Sequence, residues 1–286
     1  MELFFSKYRI STITSNANIF IEDYHENIKI NLIELFNNLS INEKNSNNNF
    51  IFTSRFCKLT NSIIERGTYI KKKRSIKSKR TFDNQISFVF KVEDNYHLNT
   101  KVFQNGNLHI TGCRNIDDIT KPLISLINEI KKLYKMGIEI LLNEKYDIDK
   151  LNYRNIKIFM INTDFKVYTD NTMQKNFSIK RRILHNILIN EYNVIARFDP
   201  STYTGVKVEY WWNEFEDIRD TSKHLENRNV KSKSNIIDGI KKITIVVFES
   251  GSILITGGIT IQQVEEAYKF ICNIIRDNKD KIFFNI

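Results

Sequence analysis

The chain has 286 residues, 41% of them hydrophobic and 12% aromatic, with a net charge of +10 and a pI of about 9.3. This composition excludes a disordered chain, and the positive balance favours a polyanionic partner. No apolar run approaches the roughly 18 residues of a spanning helix, and the start Met-Glu-Leu-Phe-Phe-Ser lacks the basic flank of a signal peptide, so a soluble protein with no membrane partner is expected.

In chain order, residues 8–20 alternate through Ile10-Ser11-Thr12-Ile13 and predict a strand. Ile28, Leu32, Leu35, Phe36 and Leu39 recur at helical spacing and predict a helix over 28–39. After the polar tract 45–49, Phe50-Ile51-Phe52 and Phe56 resume extended structure. Residues 71–80 hold Lys71, Lys72, Lys73, Arg74, Lys77, Lys79 and Arg80 without a buried face. They read as a loop, and as candidates for phosphate contact or nuclear targeting. Strands are expected again at 86–93 and 101–111, followed by a helix carrying Ile116, Ile119, Leu123, Leu126, Ile127 and Ile130.

The second half repeats the order. A strand at 157–161, a helix at 178–191 and a short strand at 194–196 lead through the turn-rich segment 199–205 to a strand at 206–212. A charged stretch, 213–233, reads as an insertion between neighbouring strands, matching in position a loop around 95–99 in the first half. A strand at 243–248 then leads to a helix with Ile261, Val264, Tyr268, Ile271 and Ile275 on one face. Thr260 and Gln263 form a T-x-x-Q capping box at its start, and Asn115 with Asp118 offers a weaker version in the first half.

The strongest signal is the repeat itself. Phe103-Gln104-Asn105-Gly106-Asn107-Leu108-His109-Ile110-Thr111-Gly112 recurs as Phe248-Glu249-Ser250-Gly251-Ser252-Ile253-Leu254-Ile255-Thr256-Gly257. Ile116, Ile119, Leu126 and Ile130 stand at the same offset from Phe103 as Ile261, Val264, Ile271 and Ile275 do from Phe248, so the register persists through the helix. Each copy is a hairpin, a Thr-Gly corner and a packed helix. The chain divides into two pseudo-symmetric repeats, 1–150 and 151–286, the first with a basic insertion near 70–80 and the second with a charged one near 213–235.

Chemistry is sparse. Cys57, Cys113 and Cys272 lie far apart with no C-x-x-C pair, which argues against a disulfide framework or a zinc site and for a reducing, intracellular compartment. His25, His97, His185 and His224 are scattered, and the carboxylate groups Asp117/Asp118, Asp147/Asp149 and Glu214/Glu216/Asp217 lack an accompanying His, Lys or glycine loop. Neither catalysis, a metal nor a cofactor is expected.

The doubled hairpins resemble those of the TATA-box-binding protein family, whose pattern runs Ile-Phe, a small residue, Ser-Gly, Lys, aliphatics, then Thr-Gly-Ala. Phe198-Asp199-Pro200-Ser201-Thr202-Tyr203-Thr204-Gly205-Val206 is similar to the family's Tyr-Glu-Pro-Glu-Leu-Phe-Pro-Gly-Leu, and Asn155-Ile156-Lys157-Ile158 to its Asp-Phe-Lys-Ile. The resemblance implies an α+β saddle, each repeat a curved antiparallel sheet backed by two helices, with the concave face on the minor groove of A·T-rich double-stranded promoter DNA. It implies aromatic wedges at Phe103 and Phe82 in the first repeat and at Phe248 and Tyr203 in the second. His109, Thr111, Leu254 and Thr256 would then face the groove.

From the residues alone, a two-residue turn places Phe103 on the side of Leu108, and a three-residue loop places it beside His109 and Thr111; the resemblance favours the loop. By the same resemblance the partners are a transcription factor IIB-like protein and the RNA polymerase machinery, and the place of action is a nucleus or a cytoplasmic viral replication site. The family's central asparagines fall on Tyr8 and Met160 and its hairpin lysines on Asn107 and Ser252. These departures support a second expectation, a saddle-shaped protein-interaction module that has lost specific DNA recognition.

Overall fold

The computed structural model describes residues 2–22, 24, 28–41, 51–57, 63–67, 85–93, 95–142, 146–169, 177–214 and 239–285. The elements of the first half are β1 (Phe4–Phe5), β2 (Arg9–Ile21), α1 (Leu32–Asn38), β3 (Ile51–Cys57), β4 (Ile63–Gly67), β5 (Gln85–Glu93), β6 (Tyr96–Phe103), β7 (Asn107–Cys113) and α2 (Thr120–Lys135). There follow β8 (Leu151–Tyr168), β9 (Phe177–Ile179), α3 (Arg181–Asn190), β10 (Ile195–Asp199), β11 (Tyr203–Asn213), β12 (Ile240–Val247), β13 (Ser252–Gly258), α4 (Ile261–Asp277), α5 (Lys279–Ile282) and β14 (Phe283–Asn285). Short 3-10 turns precede α2 at Asp117–Ile119 and β8 at Ile148–Lys150.

Two compact units result. The first-half unit is Ile13–Lys157; the second-half unit joins Met1–Thr12 to Ile158–Ile286. The first-half sheet runs β2-β7-β6-β5-β3-β4 and the second-half sheet β10-β11-β12-β13-β8, every pairing antiparallel, with β1 on β8. The class is α+β, as expected.

Period-two alternation makes one face of each sheet apolar. In the first-half unit Ile13, Ala17, Ile86, Phe88, Leu98, Val102, Leu108 and Ile110 are buried, as are Leu123, Leu126 and Ile130 along one face of α2. In the second-half unit Phe165, Val208, Tyr210, Ile245, Ile253 and Ile255 share one cluster with Leu184 and Leu188 of α3 and Ala267, Ile271 and Ile275 of α4. Each of the larger aliphatic and Phe side chains among them contributes about 1.5–3 kcal/mol by leaving water. Leu3, Phe5 and Tyr8 pack against this second cluster.

The start of α4 is capped as the sequence predicts, while the Asn115–Asp118 bonds form at the 3-10 turn before α2, whose own N-cap Ile119 makes no side-chain bond. The Thr260 side chain accepts from Gln263 N and the Gln263 side chain from the Thr260 backbone. In the first half Asp118 N donates to Asn115 Oδ1 (2.9 Å) and Asn115 N to Asp118 Oδ2 (3.3 Å). Asp118 also accepts from the Tyr96 hydroxyl and from Lys121 Nζ (2.7 Å), so a buried carboxylate ties β6 to the start of α2.

Three local expectations change. The helix predicted over 28–39 is shorter, because Ile30 bridges to Leu141 and its N–H donates to Gln104 O; Asn31 caps the helix instead. The helix predicted over 178–191 begins at Arg181, because Phe177–Ile179 pairs with Phe283–Asn285 near the other end of the sequence. Residues 96–99, expected in a loop, belong to β6 and pair with β5. The basic run 71–80, Phe82 and the insertion between 215 and 238 lie outside the described residues.

Candidate nucleic-acid interface

Hairpin geometry decides which way the aromatic rings face. Val102 pairs with Leu108 and Lys101 with His109, leaving Gln104, Asn105 and Gly106 as a three-residue loop closed by Gly106 N to Phe103 O at 3.0 Å. Val247 pairs with Ile253, and Gly251 N donates to Phe248 O, also at 3.0 Å. The last loop residue is left-handed in both copies, Gly106 at φ 78° and Gly251 at φ 76°, where L side chains are strained. A Cβ would also sit 2.9 Å from Ile19 O at Gly106 and 2.9 Å from Val167 O at Gly251.

Cross-strand partners share a face, so Phe103, Lys101, His109 and Thr111 lie opposite the buried Val102, Leu108 and Ile110. Likewise Phe248, Leu254 and Thr256 lie opposite Val247, Ile253 and Ile255. All of these non-core residues are half-buried. The two-residue alternative for Phe103 is excluded.

At the second hairpin the Tyr203 and Phe248 rings stand 5.9 Å apart, planes at 56°. Gly205 lies beneath them. A Cβ there would come within 2.4 Å of Val246 Cγ1 and 3.1 Å of both rings, so a side chain would displace the aromatic pair. Lys207 Nζ lies 4.3 Å from the Tyr203 ring centroid, close enough for a cation–π contact. Behind the pair, the Arg181 guanidinium donates to Thr204 O and to the Glu249 carboxylate, and Ser178 Oγ donates to Glu249 Oε1 at 3.0 Å. The Asp199 carboxylate takes Ser201 N, Ser201 Oγ and Thr202 Oγ1, fixing the turn before Tyr203; these bonds, those from Ser201 first, hold it below the usual carboxylate range.

The floors of the two faces differ. In the first-half unit His109 Nδ1 lies 2.6 Å from Asn16 Oδ1, and the amides of Asn18 and Asn107 bond to each other. In the second-half unit Leu254 pairs with Asp164, whose carboxylate takes two bonds from Arg9 at 3.1 Å. Glu209 stands 3.7 Å from Arg197 and 3.9 Å from Lys242. Thr111 Oγ1 donates to Asn99 O and Thr256 Oγ1 to Thr244 O, each at 3.4 Å.

Of the residues singled out in the sequence, Tyr203 and Phe248 come together on one face with Leu254 and Thr256, and Phe103 shares another with His109 and Thr111. Tyr8 is spent elsewhere: its hydroxyl donates to Glu265 Oε1 (3.1 Å) and its ring packs on Tyr268. Sequence reasoning passed over Asn16, Asn18, Arg181, Gly205 and Lys207. The alternation of Thr14, Asn16 and Asn18 with Ile13, Ser15 and Ala17 was the available signal for the amides.

The fold and its open faces define an α+β protein of two compact units, each with a sheet face free of helices and an aromatic residue at a hairpin tip. No family model matches the chain. The chain is similar to a TATA-box-binding protein-like protein of Acanthamoeba polyphaga mimivirus, 29% identical over 220 residues, which is 74% of this chain and 52% of that protein. It thus spans about half the length of this curated relative, and the likeness agrees with the resemblance carried by the hairpins. Among solved structures, Methanococcus jannaschii TBP aligns over 95% of this chain and 99% of its own, with 14% identity and a TM-score of 0.45.

Proposed function

We propose that this protein is a non-enzymatic transcription initiation factor whose open sheet faces bind the minor groove of A·T-rich promoter DNA, bending it by aromatic insertion. Phe248 with Tyr203 forms one wedge, Phe103 with Phe82 the other. Lys71, Lys72, Lys73, Arg74, Lys77, Lys79 and Arg80 supply phosphate contacts, and the helical backs of the units receive a transcription factor IIB-like protein of the polymerase machinery. The site of action is a nucleus or a cytoplasmic viral replication site.

The observation that carries this reading is the Tyr203–Phe248 pair, two rings on the helix-free face over a glycine that leaves them room. A flat apolar wedge suits the task because unstacking a base step costs about a few kcal/mol, which an inserted ring offsets; that behaviour is established for TATA-box-binding proteins and is carried over from them. The likeness to the mimivirus protein supports the same direction.

The test is binding and bending of an A·T-rich duplex and a scrambled G·C-rich duplex across a salt series. Tight, bent, composition-dependent complexes are expected. Equal and steeply salt-dependent binding to both, without bending, would reduce the interaction to phosphate attraction.

A second reading, a protein-interaction module, is favoured by Asp164 and Glu209, two carboxylates on the face that would meet the anion. Capture of a partner through that face with no complex on any duplex would establish it.

A further inference from the structure

We infer that His109 accepts a hydrogen bond from the 2-amino group of a guanine in the minor groove, so that one G·C pair is preferred beneath the first-half unit within an otherwise A·T-rich site. This rests on the DNA-binding reading above and deepens it.

The geometry sets the tautomer. His109 lies on β7 between Asn16 of β2 and Lys101 of β6, its register partners on the open face. Its Nδ1 is 2.6 Å from Asn16 Oδ1; with the amide oxygen turned to the ring, as it is placed, Nδ1 is the donor and Nε2 keeps its lone pair. Burial first and the Lys101 charge second hold the imidazole below its usual pKa, which favours the neutral ring. Nε2 is on the far side of the ring from Cβ, directed away from the backbone.

Minor-groove chemistry then discriminates. A·T and T·A pairs present only acceptors, adenine N3 and thymine O2, whereas a G·C pair adds the guanine 2-amino donor. An acceptor facing an acceptor leaves both without a partner, while an acceptor facing the amino group makes a bond. The amide nitrogens of Asn16 and Asn107 are donors suited to the A·T edges around it. The repeat makes this reading one-sided: Leu254, third residue of β13 as His109 is of β7, has no acceptor to offer. A single off-centre G·C pair would therefore fix which way round the pseudo-symmetric protein sits.

The experiment walks one G·C pair through an A·T-rich duplex and measures affinity by fluorescence anisotropy. One position is expected to bind about 3- to 10-fold tighter than its A·T parent, the range one net hydrogen bond supplies. Replacing that guanine by inosine, which lacks only the 2-amino group, should erase the gain, and 2,6-diaminopurine in place of adenine there should restore it. His109→Leu should show no preference among the positions, whatever its affinity for the all-A·T duplex. Binding with no inosine-sensitive position, or a preference that survives His109→Leu, overturns the assignment while leaving the DNA-binding reading intact. No complex with any duplex removes both. The base analogues need only the unaltered protein, so the outcome does not depend on how the variant folds.

Discussion

Arg181 and Glu249 form an ion pair that couples the start of β11, which carries Tyr203, to the hairpin turn at Phe248, because the same guanidinium also takes the carbonyl of Thr204, the residue next to Tyr203. Glu249 in turn follows Phe248. One side chain thus sets the spacing of both rings from behind. Partly exposed pairs of this kind contribute about 0–1 kcal/mol to stability. Arg181→Ala is therefore expected to leave thermal unfolding nearly unchanged while reducing DNA bending, read by energy transfer between duplex ends. Arg181→Lys should recover little, since one ammonium cannot reproduce the fork.

Phe103 and Phe248 lie opposite the core faces of their sheets. The double substitution Phe103→Ala with Phe248→Ala should cost only about 1 kcal/mol of unfolding free energy per site and abolish bending. Ile253→Ala, one pair along the same hairpin but fully buried, should cost about 2–5 kcal/mol. Urea melts of the two proteins compare them directly. Unfolding of the double mutant would return both rings to the core.

Gly205 is needed for space, since its added Cβ would meet Val246 Cγ1 at 2.4 Å. Gly205→Ala should destabilise the second-half unit by about 1–3 kcal/mol through overpacking. It should also change the near-ultraviolet circular dichroism of Tyr203. A variant identical to the parent in both readouts would show that the rings move aside freely.

Acid should weaken the fold in two stages. The His109 imidazole is depressed by burial and by Lys101, so the unfolded chain binds its proton more readily. Its contribution is complete above the ordinary histidine value of 6.5 and is lost as pH falls from there through the folded value. Burial alone would raise the Asp118 carboxyl, but the bonds from Lys121 and Tyr96 outweigh it and hold the group low. That contribution is present above the carboxylate value of 3.8 and is lost as pH falls through the folded one. Urea midpoints followed against pH should show both stages, with His109→Leu removing the upper and Asp118→Asn the lower.

Much of this was visible in the residues. The doubled hairpin, the Thr260–Gln263 box and the apolar faces of α2 and α4 are local patterns, and local patterns survive folding. The face of Phe103 was not, because Asn105-Gly106 suits a two-residue turn as well as a three-residue loop. The loop agrees with a contact remote in sequence, the Ile19 N–H on Gly106 O, matched by the Val167 N–H on Gly251 O. β9 was hidden for the same reason: Phe177-Ser178-Ile179 continues the helical spacing of α3, and only its pairing with β14 makes it a strand. The histidine–asparagine pair on the open face likewise joins residues far apart along the chain.

Leu3, Phe5 and Tyr8 pack against the core of the unit formed mainly by the opposite half of the sequence. Cleaving the polypeptide between the repeats would therefore not liberate two self-sufficient halves. The carboxy-terminal piece would be left with a vacant apolar seam, and adding a peptide of the first dozen residues should reseal it. The duplication, however plain in its motifs, is thus not a division into independent pieces: the second-half unit draws part of its stability from residues that precede the first-half unit.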